Sequence, residues 1–198
     1  SVLKAGGEEG QAGSATQTIY AGVADLGTSV YRSQDGGATW EALPGQPTSP
    51  AFMPHHGVLA SNGFLYITYN NNAGPYDGTL GDVWRYDTSS DVWMRISPDA
   101  SSATNSWFGY GGLAVDAQNP STVMVAALNQ WWPDAQIWRS TDAGATWTPI
   151  WHWGAYPERV LHYEHDISAS PWLTFNGTPS LPEIAPKLGW MIGDLDID

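Results

Sequence analysis

An all-β fold built from a repeated four-stranded unit is predicted for this chain, on three observations. First, the stretches Val30 to Leu43, Val83 to Ile96 and Ile137 to Ile150 align without a gap. Each opens with a β-branched residue, an aromatic and an arginine (Arg32, Arg85, Arg139), and each carries a tryptophan (Trp40, Trp93, Trp147) with an apolar residue three places later. The tryptophans lie 53 and 54 residues apart, a period that marks a structural repeat. Second, short apolar runs bounded by turn residues read as strands throughout. Third, no stretch competes with a helical period.

Taken in order, Ser1 to Gln17 is polar and glycine-rich and is expected to be a mobile leader or an exposed loop. Thr18 to Ala24 is the first clear strand, and the first hairpin follows. Its turn reads Ser33-x-Asp35-x-Gly37-x-Thr39-Trp40, and the third hairpin repeats it as Ser140-x-Asp142-x-Gly144-x-Thr146-Trp147. A short Asp side chain accepts hydrogen bonds from backbone N–H groups just ahead of it. Gly supplies a positive φ that other residues resist, and Trp buries a large surface. Asp35 and Asp142 are therefore expected to be structural. The middle copy has Thr88 and Ser90 where Asp and Gly would stand, and keeps only the strands and Trp93.

Leu43 to Pro50, with three prolines, breaks regular structure. Met53 to Ala60 is a short strand closed by Ser61-Asn-Gly63, and Phe64 to Tyr69 is another. Asn70 to Gly81 is a long polar loop before the second hairpin. After a linker over Ser97 to Asn105, Trp107 to Asp116 is a strand with a glycine-rich entry, and Thr122 to Leu128 a buried one. Asn129 to Asp134 then forms a loop before the third hairpin. Full units therefore run from 57 to 96 and from 111 to 150, with a partial unit over 18–43. A less repetitive insert spans 151–188. Leu195-Asp-Ile-Asp198 matches Leu113-Ala-Val-Asp116, so 189–198 reads as the start of the next unit. Four-stranded units of about 40–50 residues in series read as β-propeller blades. Three to four blades do not close a ring, which suggests a piece of a longer protein.

Composition bounds the function. The net charge is −13, which disfavours nucleic acid and anionic membrane surfaces as partners. A neutral partner is not penalised. Twelve Trp and nine Tyr against four Phe, with few charged residues, suit a surface on which sugar rings stack, although most aromatics must fill the cores between sheets. Cysteine is absent, so thiol chemistry is excluded. No apolar run reaches the ~18 residues of a membrane span, and no signal peptide is expected. Asn176-Gly-Thr178 is a glycosylation sequon and weakly supports secretion. His162, Glu164, His165 and Asp166 follow no standard metal-ligand spacing and read as an ordinary polar loop, so no metal or cofactor is expected.

The Ser-Asp-Gly-Thr-Trp turns resemble the Asp-box of bacterial-neuraminidase-type (BNR) repeats. A more specific resemblance rests on motifs in a fixed order: Pro54-His-His-Gly-Val-Leu59, Ala73-Gly-Pro-Tyr-Asp-Gly78 with Gly81-Asp-Val-Trp-Arg-Tyr86, Phe108-Gly-Tyr-Gly-Gly-Leu113, Trp131-Trp-Pro-Asp134 and Pro186-Lys-Leu-Gly-Trp190. From about Ile19 to the C-terminus the chain resembles the xyloglucanases of glycoside hydrolase family 74, which include the reducing-end-specific oligoxyloglucan cellobiohydrolases. The resemblance implies two seven-bladed propellers, the present chain being the later part of the first, with a cleft between them for a branched β-1,4-glucan. It implies extracellular action and hydrolysis with inversion by two carboxyl groups, which that chemistry places about 6.5–9.5 Å apart. The family's catalytic aspartates lie in Asp-Ile/Val-Gly-Gly motifs, and the chain has neither; Asp25-Leu-Gly-Thr and Asp35-Gly-Gly only approach them. No catalytic residue is therefore assigned, and the segment alone is expected to be inactive.

What this stretch is expected to supply is cleft wall. Trp131 and Trp132 sit in a loop and correspond to the tandem aromatics that processive members use on the reducing-end side. Tyr76, Asp77 and Tyr110 are second-rank sugar contacts, and His55 and His56 stand between a core hydrogen bond and a cleft contact. The expected partners are xyloglucan or a related β-glucan and the rest of the protein's own propellers. Two other classes remain: a non-catalytic propeller binding module, and an Asp-box sialidase, which needs converging arginines for a substrate carboxylate.

Overall fold

The structure, a computed structural model, describes residues 2–3, 16–48, 51–74, 77–98, 108–130, 136–153, 161–163 and 191–197, with the backbone alone for 2–3, 151–153 and 161–163. All regular elements among them are strands: β1 (Val2–Leu3), β2 (Ile19–Gly22), β3 (Val30–Ser33), β4 (Glu41–Ala42), β5 (Met53–Leu59), β6 (Phe64–Asn70), β7 (Val83–Asp87), β8 (Val92–Arg95), β9 (Gly109–Val115), β10 (Val123–Leu128), β11 (Ile137–Ser140), β12 (Thr148–Pro149), β13 (Trp151–Trp153) and β14 (Leu161–Tyr163). They form three four-stranded antiparallel sheets, each ordered as the chain runs: β1 to β4, β5 to β8 and β9 to β12. β13 and β14 make a separate hairpin inside the stretch read as an insert.

Each sheet is a meander because strands consecutive in sequence pair antiparallel, and the pleat sends alternate residues to opposite faces. On β6 the odd positions Leu65, Ile67 and Tyr69 face the first sheet, packed with Tyr20, Val30 and Leu43. The even position Tyr66 faces the third sheet, packed with Tyr110, Val125 and Trp138. Both faces of the middle sheet are therefore buried, which explains its continuous apolar sequence. Aromatic rings dominate these interfaces: the Phe108 and Trp138 rings stack with centroids 6.0 Å apart. Truncating such a ring to alanine costs about 3–5 kcal/mol.

The repeated Ser-Asp-Gly-Thr turns have one geometry. Ser33 Oγ donates to Asp35 Oδ1 at 2.8 Å and accepts from Gly37 N at 2.8 Å. Thr39 N donates to Asp35 Oδ1 at 2.8 Å, and Thr39 Oγ1 donates to Oδ2 at 2.6 Å. Asp142 repeats the set with Ser140, Gly144 and Thr146. Both carboxylates thus hold turns, as expected. The middle turn is built otherwise: Asp87 Oδ1 accepts from Ser89 N and Oγ, and Asp91 adopts φ 56°.

Neighbouring sheets are clasped in both directions at the position of the repeat's arginine and tryptophan. Arg32 Nη1 lies 3.2 Å from Asp91 in the next sheet's turn, and Arg85 Nη1 donates to Ala143 O at 2.8 Å in the turn after that. In return, Trp93 Nε1 donates to Pro44 O at 2.9 Å and Trp147 Nε1 to Ile96 O at 2.6 Å, each carbonyl lying just after the outer strand of the preceding sheet. Arg85 also stacks over the Phe64 ring at 4.3 Å.

Two expectations change. Val2–Leu3, read as part of a leader, pairs with Tyr20 and Ala21 and completes the first sheet, so the stretch 18–43 is not a partial unit. The middle unit begins at Met53 instead of 57, with Pro54 inside a strand. β5 is an edge strand with a bulge between Pro54 and His56, the setting in which a strand tolerates proline.

Candidate functional site

Antiparallel pairing places the starts of β5, β7, β9 and β11 at the same end as the finishes of β6, β8 and β10. This end carries the long loop 71–82 and the connection between β10 and β11. Apart from the link between β1 and β2, the connections described at the opposite end are short, and they include the two Ser-Asp-Gly-Thr turns. Binding residues concentrate on loops held by a rigid scaffold, so the loop end is the candidate face. Asp77, His55 and His56 all belong to it. Tyr76, Trp131 and Trp132 lie outside the described residues.

His55 and His56 sit half-buried on β5, their rings 5.9 Å apart. Burial first, and then the neighbouring His56, lower the His55 pKa and favour the neutral imidazole. The His56 amide donates to Thr68 Oγ1 at 3.2 Å, and Thr68 Oγ1 donates to Gly111 O at 2.8 Å, which ties β5 through β6 to β9. His56 Nε2 is 3.6 Å from Asp194 Oδ1, an exposed carboxylate in the stretch 191–197. That stretch runs along the third sheet: Gly112 N donates to Ile192 O at 2.9 Å, and Met191 bridges Leu128.

Asp77 is exposed in its loop. Tyr110, expected as a sugar contact, is fully buried and packs against Phe108 and Trp138 at 5.6 and 5.7 Å, so it is a core residue. Its strand was expected, with a glycine-rich entry, but not the reason for the glycines. They are required by close packing: a Cβ on Gly111 would lie 2.7 Å from Ile192 O, and one on Gly112 2.9 Å from Leu195 Cγ.

Sequence reasoning missed the buried polar node beneath the loop. Asn70 is fully buried at the end of β6, where its Nδ2 donates to Asn72 O at 2.9 Å. Gly78 and Gly109 both lie against its carboxamide, so close that a Cβ on either would clash with it. A Cβ on Gly81 would overlap the Tyr69 carbonyl and approach Gly109 Cα at 2.7 Å and Tyr110 N at 2.9 Å. Asn71 Oδ1 accepts from Thr79 N at 2.9 Å and Leu80 N at 3.2 Å, folding the loop back on itself. From the next sheet, Asn129 Nδ2 donates to Gly78 O at 2.8 Å. Asp82, buried beside the loop, accepts from Arg95 Nε at 2.7 Å and Ser97 Oγ at 2.9 Å. A cluster of asparagines next to a glycine-rich loop is the signal that was available for this node.

Chemically, this face offers amides, imidazoles and exposed carboxylates on a stiff base, a set suited to hydrogen-bonding a neutral polyhydroxylated ligand. Among the described residues, no group of three or more His, Cys, Asp or Glu is placed to hold a metal ion, and no helix is long and apolar enough to cross a membrane.

No family model matches the chain. A xyloglucanase from a Paenibacillus species is 64% identical over 189 residues, which cover 96% of this chain and 18% of that protein. The xyloglucanase Xgh74A of Acetivibrio thermocellus is 59% identical over 187 residues, covering 94% of this chain and 22% of that protein. The crystal structure of the GH74 xyloglucanase from Xanthomonas campestris superimposes with a TM-score of 0.65 at 32% identity, over 83% of this chain and 22% of that one. The GH74 enzyme of Niastella koreensis gives 0.62 at 34% identity, over 70% of this chain and 20% of that one. The chain spans about a fifth of the length of the curated relatives it matches.

Proposed function

This chain belongs to glycoside hydrolase family 74, and from that premise we propose that the longer protein of which it forms part hydrolyses the β-1,4-glucan backbone of xyloglucan, with inversion. Its three four-stranded sheets are blades of a β-propeller. The observation that carries the proposal is identity of 64% and 59% to named xyloglucanases across more than nine-tenths of the chain.

In this reading the segment supplies part of the cleft wall and no catalytic carboxyl group. It belongs to a seven-bladed domain, its Ser-Asp-Gly-Thr turns are Asp-boxes, and the protein acts outside the cell on a polymer. Asp77, His55 and His56 on the loop end, with Tyr76, Trp131 and Trp132, contact the glucan. The sialidase alternative is disfavoured because its arginines must converge on one carboxylate. Arg32, Arg85 and Arg95 are instead committed to Asp91, Ala143 O and Asp82 in separate places.

The test is hydrolysis of xyloglucan by the full-length protein, followed by product sizing, with the double variant Trp131→Ala/Trp132→Ala alongside. The expected outcome is xyloglucan cleavage by the wild type. The variant should shift early products from short to mixed lengths, with cleavage of short substrates and the melting temperature near normal. Loss of a stacking contact costs about 1–3 kcal/mol by analogy with bases on aromatics, and that loss falls on retention of the polymer. A stable variant with an unchanged product pattern removes the tryptophans from the site. A wild-type protein that leaves xyloglucan intact removes the activity.

A further inference from the structure

The loop that presents Asp77 is gripped from two sheets at consecutive residues. Thr68 faces Val83 and Ala126 faces Ile137 across their strand pairs, so Asn71 and Asn129, each three residues later, occupy matching positions in neighbouring blades. Asn71 works within its own blade, binding the amides of Thr79 and Leu80. Asn129 reaches across the blade boundary to the carbonyl of Gly78, at 2.8 Å and 51 residues away in sequence.

We propose that Asn129 is a positioning residue for substrate binding: it fixes the Asp77–Gly78 arm of the loop to the end of β10, and so sets the spacing between contacts offered by two adjacent blades. This rests on the reading of the loop end as a glucan-binding face.

Three features of Asn129 support it. The residue is 5% exposed, so water cannot replace its hydrogen bond, and losing the donor leaves a buried carbonyl unsatisfied. Its φ of 64° lies in the left-handed region, which asparagine tolerates and β-branched residues do not. Gly78 also lies against the Asn70 carboxamide, with no space for a Cβ on that side, so it cannot shift toward the core without moving it. A displaced Gly78 therefore moves either the core or Asp77, and the exposed Asp77 moves at lower cost. On the other flank, Gln130 Oε1 accepts from Gln136 N at 2.9 Å, and Ala127 N donates to Gln136 O at 2.8 Å. The strand end from which Asn129 projects is thereby fixed. A polymer spanning two blades then meets a surface with one geometry.

The experiment uses the full-length protein and the variants Asn129→Gly and Asn129→Asp. Glycine keeps the positive φ and deletes the donor. Aspartate keeps the size and the backbone preference and turns an oxygen toward the Gly78 carbonyl. Steady-state kinetics on xyloglucan are read together with amide hydrogen exchange over 71–82. The expected result is a KM raised about three- to tenfold, the worth of one buried hydrogen bond, with kcat within about twofold. Exchange at Thr79 and Leu80 should speed up, and the effect should be larger for aspartate. An unchanged KM and unchanged loop exchange in folded variants overturn the proposal. So does a fall in kcat and stability with no exchange change confined to the loop. If neither variant folds, exchange in the wild type decides: Thr79 and Leu80 should exchange with the slow amides at the end of β10, and fast open-loop exchange there sinks the idea. Absence of any xyloglucan cleavage by the wild type counts against the functional reading alone, because the exchange result still judges Asn129.

Discussion

Asp35 and Asp142 each accept three hydrogen bonds within one turn, led by those from Thr39 and Thr146, and these hold both carboxyl groups at a pKa of about 2, below the usual 3.8. A folded-state pKa lower than the unfolded one means that ionisation favours the fold. The contribution is complete above about pH 4 and is lost as pH falls toward 2. Asp142→Asn should therefore lower the melting temperature at neutral pH and flatten its decline between pH 4 and 2. Parallel melting curves for variant and wild type over that window would refute this. These turns were legible in the sequence because every partner lies within four residues. The Asn70–Gly78–Gly109–Asn129 node was not, because packing between two sheets brings its members together. The burial of Tyr110 escapes the sequence for the same reason: its strand is readable, but not the neighbouring backbone that packs against its glycines.

Between elements, the two-way clasp joins each sheet to the next, and its strongest case is Arg85 with Trp147. Arg85 Nη1 reaches Ala143 O while its guanidinium covers Phe64. Trp147 returns a hydrogen bond to Ile96 O. Trp147→Phe keeps most of the ring and loses that bond, at about 1 kcal/mol, whereas Arg85→Met loses a charged donor, at about 2 kcal/mol. Chemical denaturation of both single variants and the double variant measures these costs, and a sum larger than the double-variant cost shows that the two halves act together. Wild-type stability in either single variant would contradict the clasp. The arginine and tryptophan were conspicuous in the repeat, but their sequence spacing could not say that each partner sits in a different sheet. The hairpins were readable from local alternation. Pairing of β1 with β2 across more than a dozen residues was not, since only the finished sheet selects that partner.

For the molecule as a whole, the middle sheet shares both faces with its neighbours, so damage at one boundary spreads. Gly81 lies at such a boundary, where any Cβ meets backbone from two sheets: the Tyr69 carbonyl on one side, Gly109 and Tyr110 on the other. Backbone cannot swing aside as a side chain can. Gly81→Ala should cost about 3 kcal/mol, at the upper end for overpacking, and should lower one cooperative transition without splitting it in two. Calorimetry showing two separate transitions, or a variant as stable as wild type, would count against this. The repeat period and strand order announced this architecture in the sequence, while the tightness of the boundary is visible only where glycines stand against backbone.

The odd turn in the middle sheet carries a consequence for taking the molecule apart. The outer two turns hold themselves together with their own serine, aspartate and threonine. The middle one borrows: Asp91, at positive φ, receives the Tyr86 hydroxyl and the Arg32 guanidinium of the sheet before it. The bends of the first and third hairpins are thus written in a few consecutive residues, fit for transplantation into a foreign scaffold or synthesis as a peptide, while the Arg85 contact to Ala143 O adds an anchor from outside the third. The second keeps the Asp87–Ser89 bonds of its own bend, but a graft of 83–96 leaves behind the Arg32 partner of Asp91.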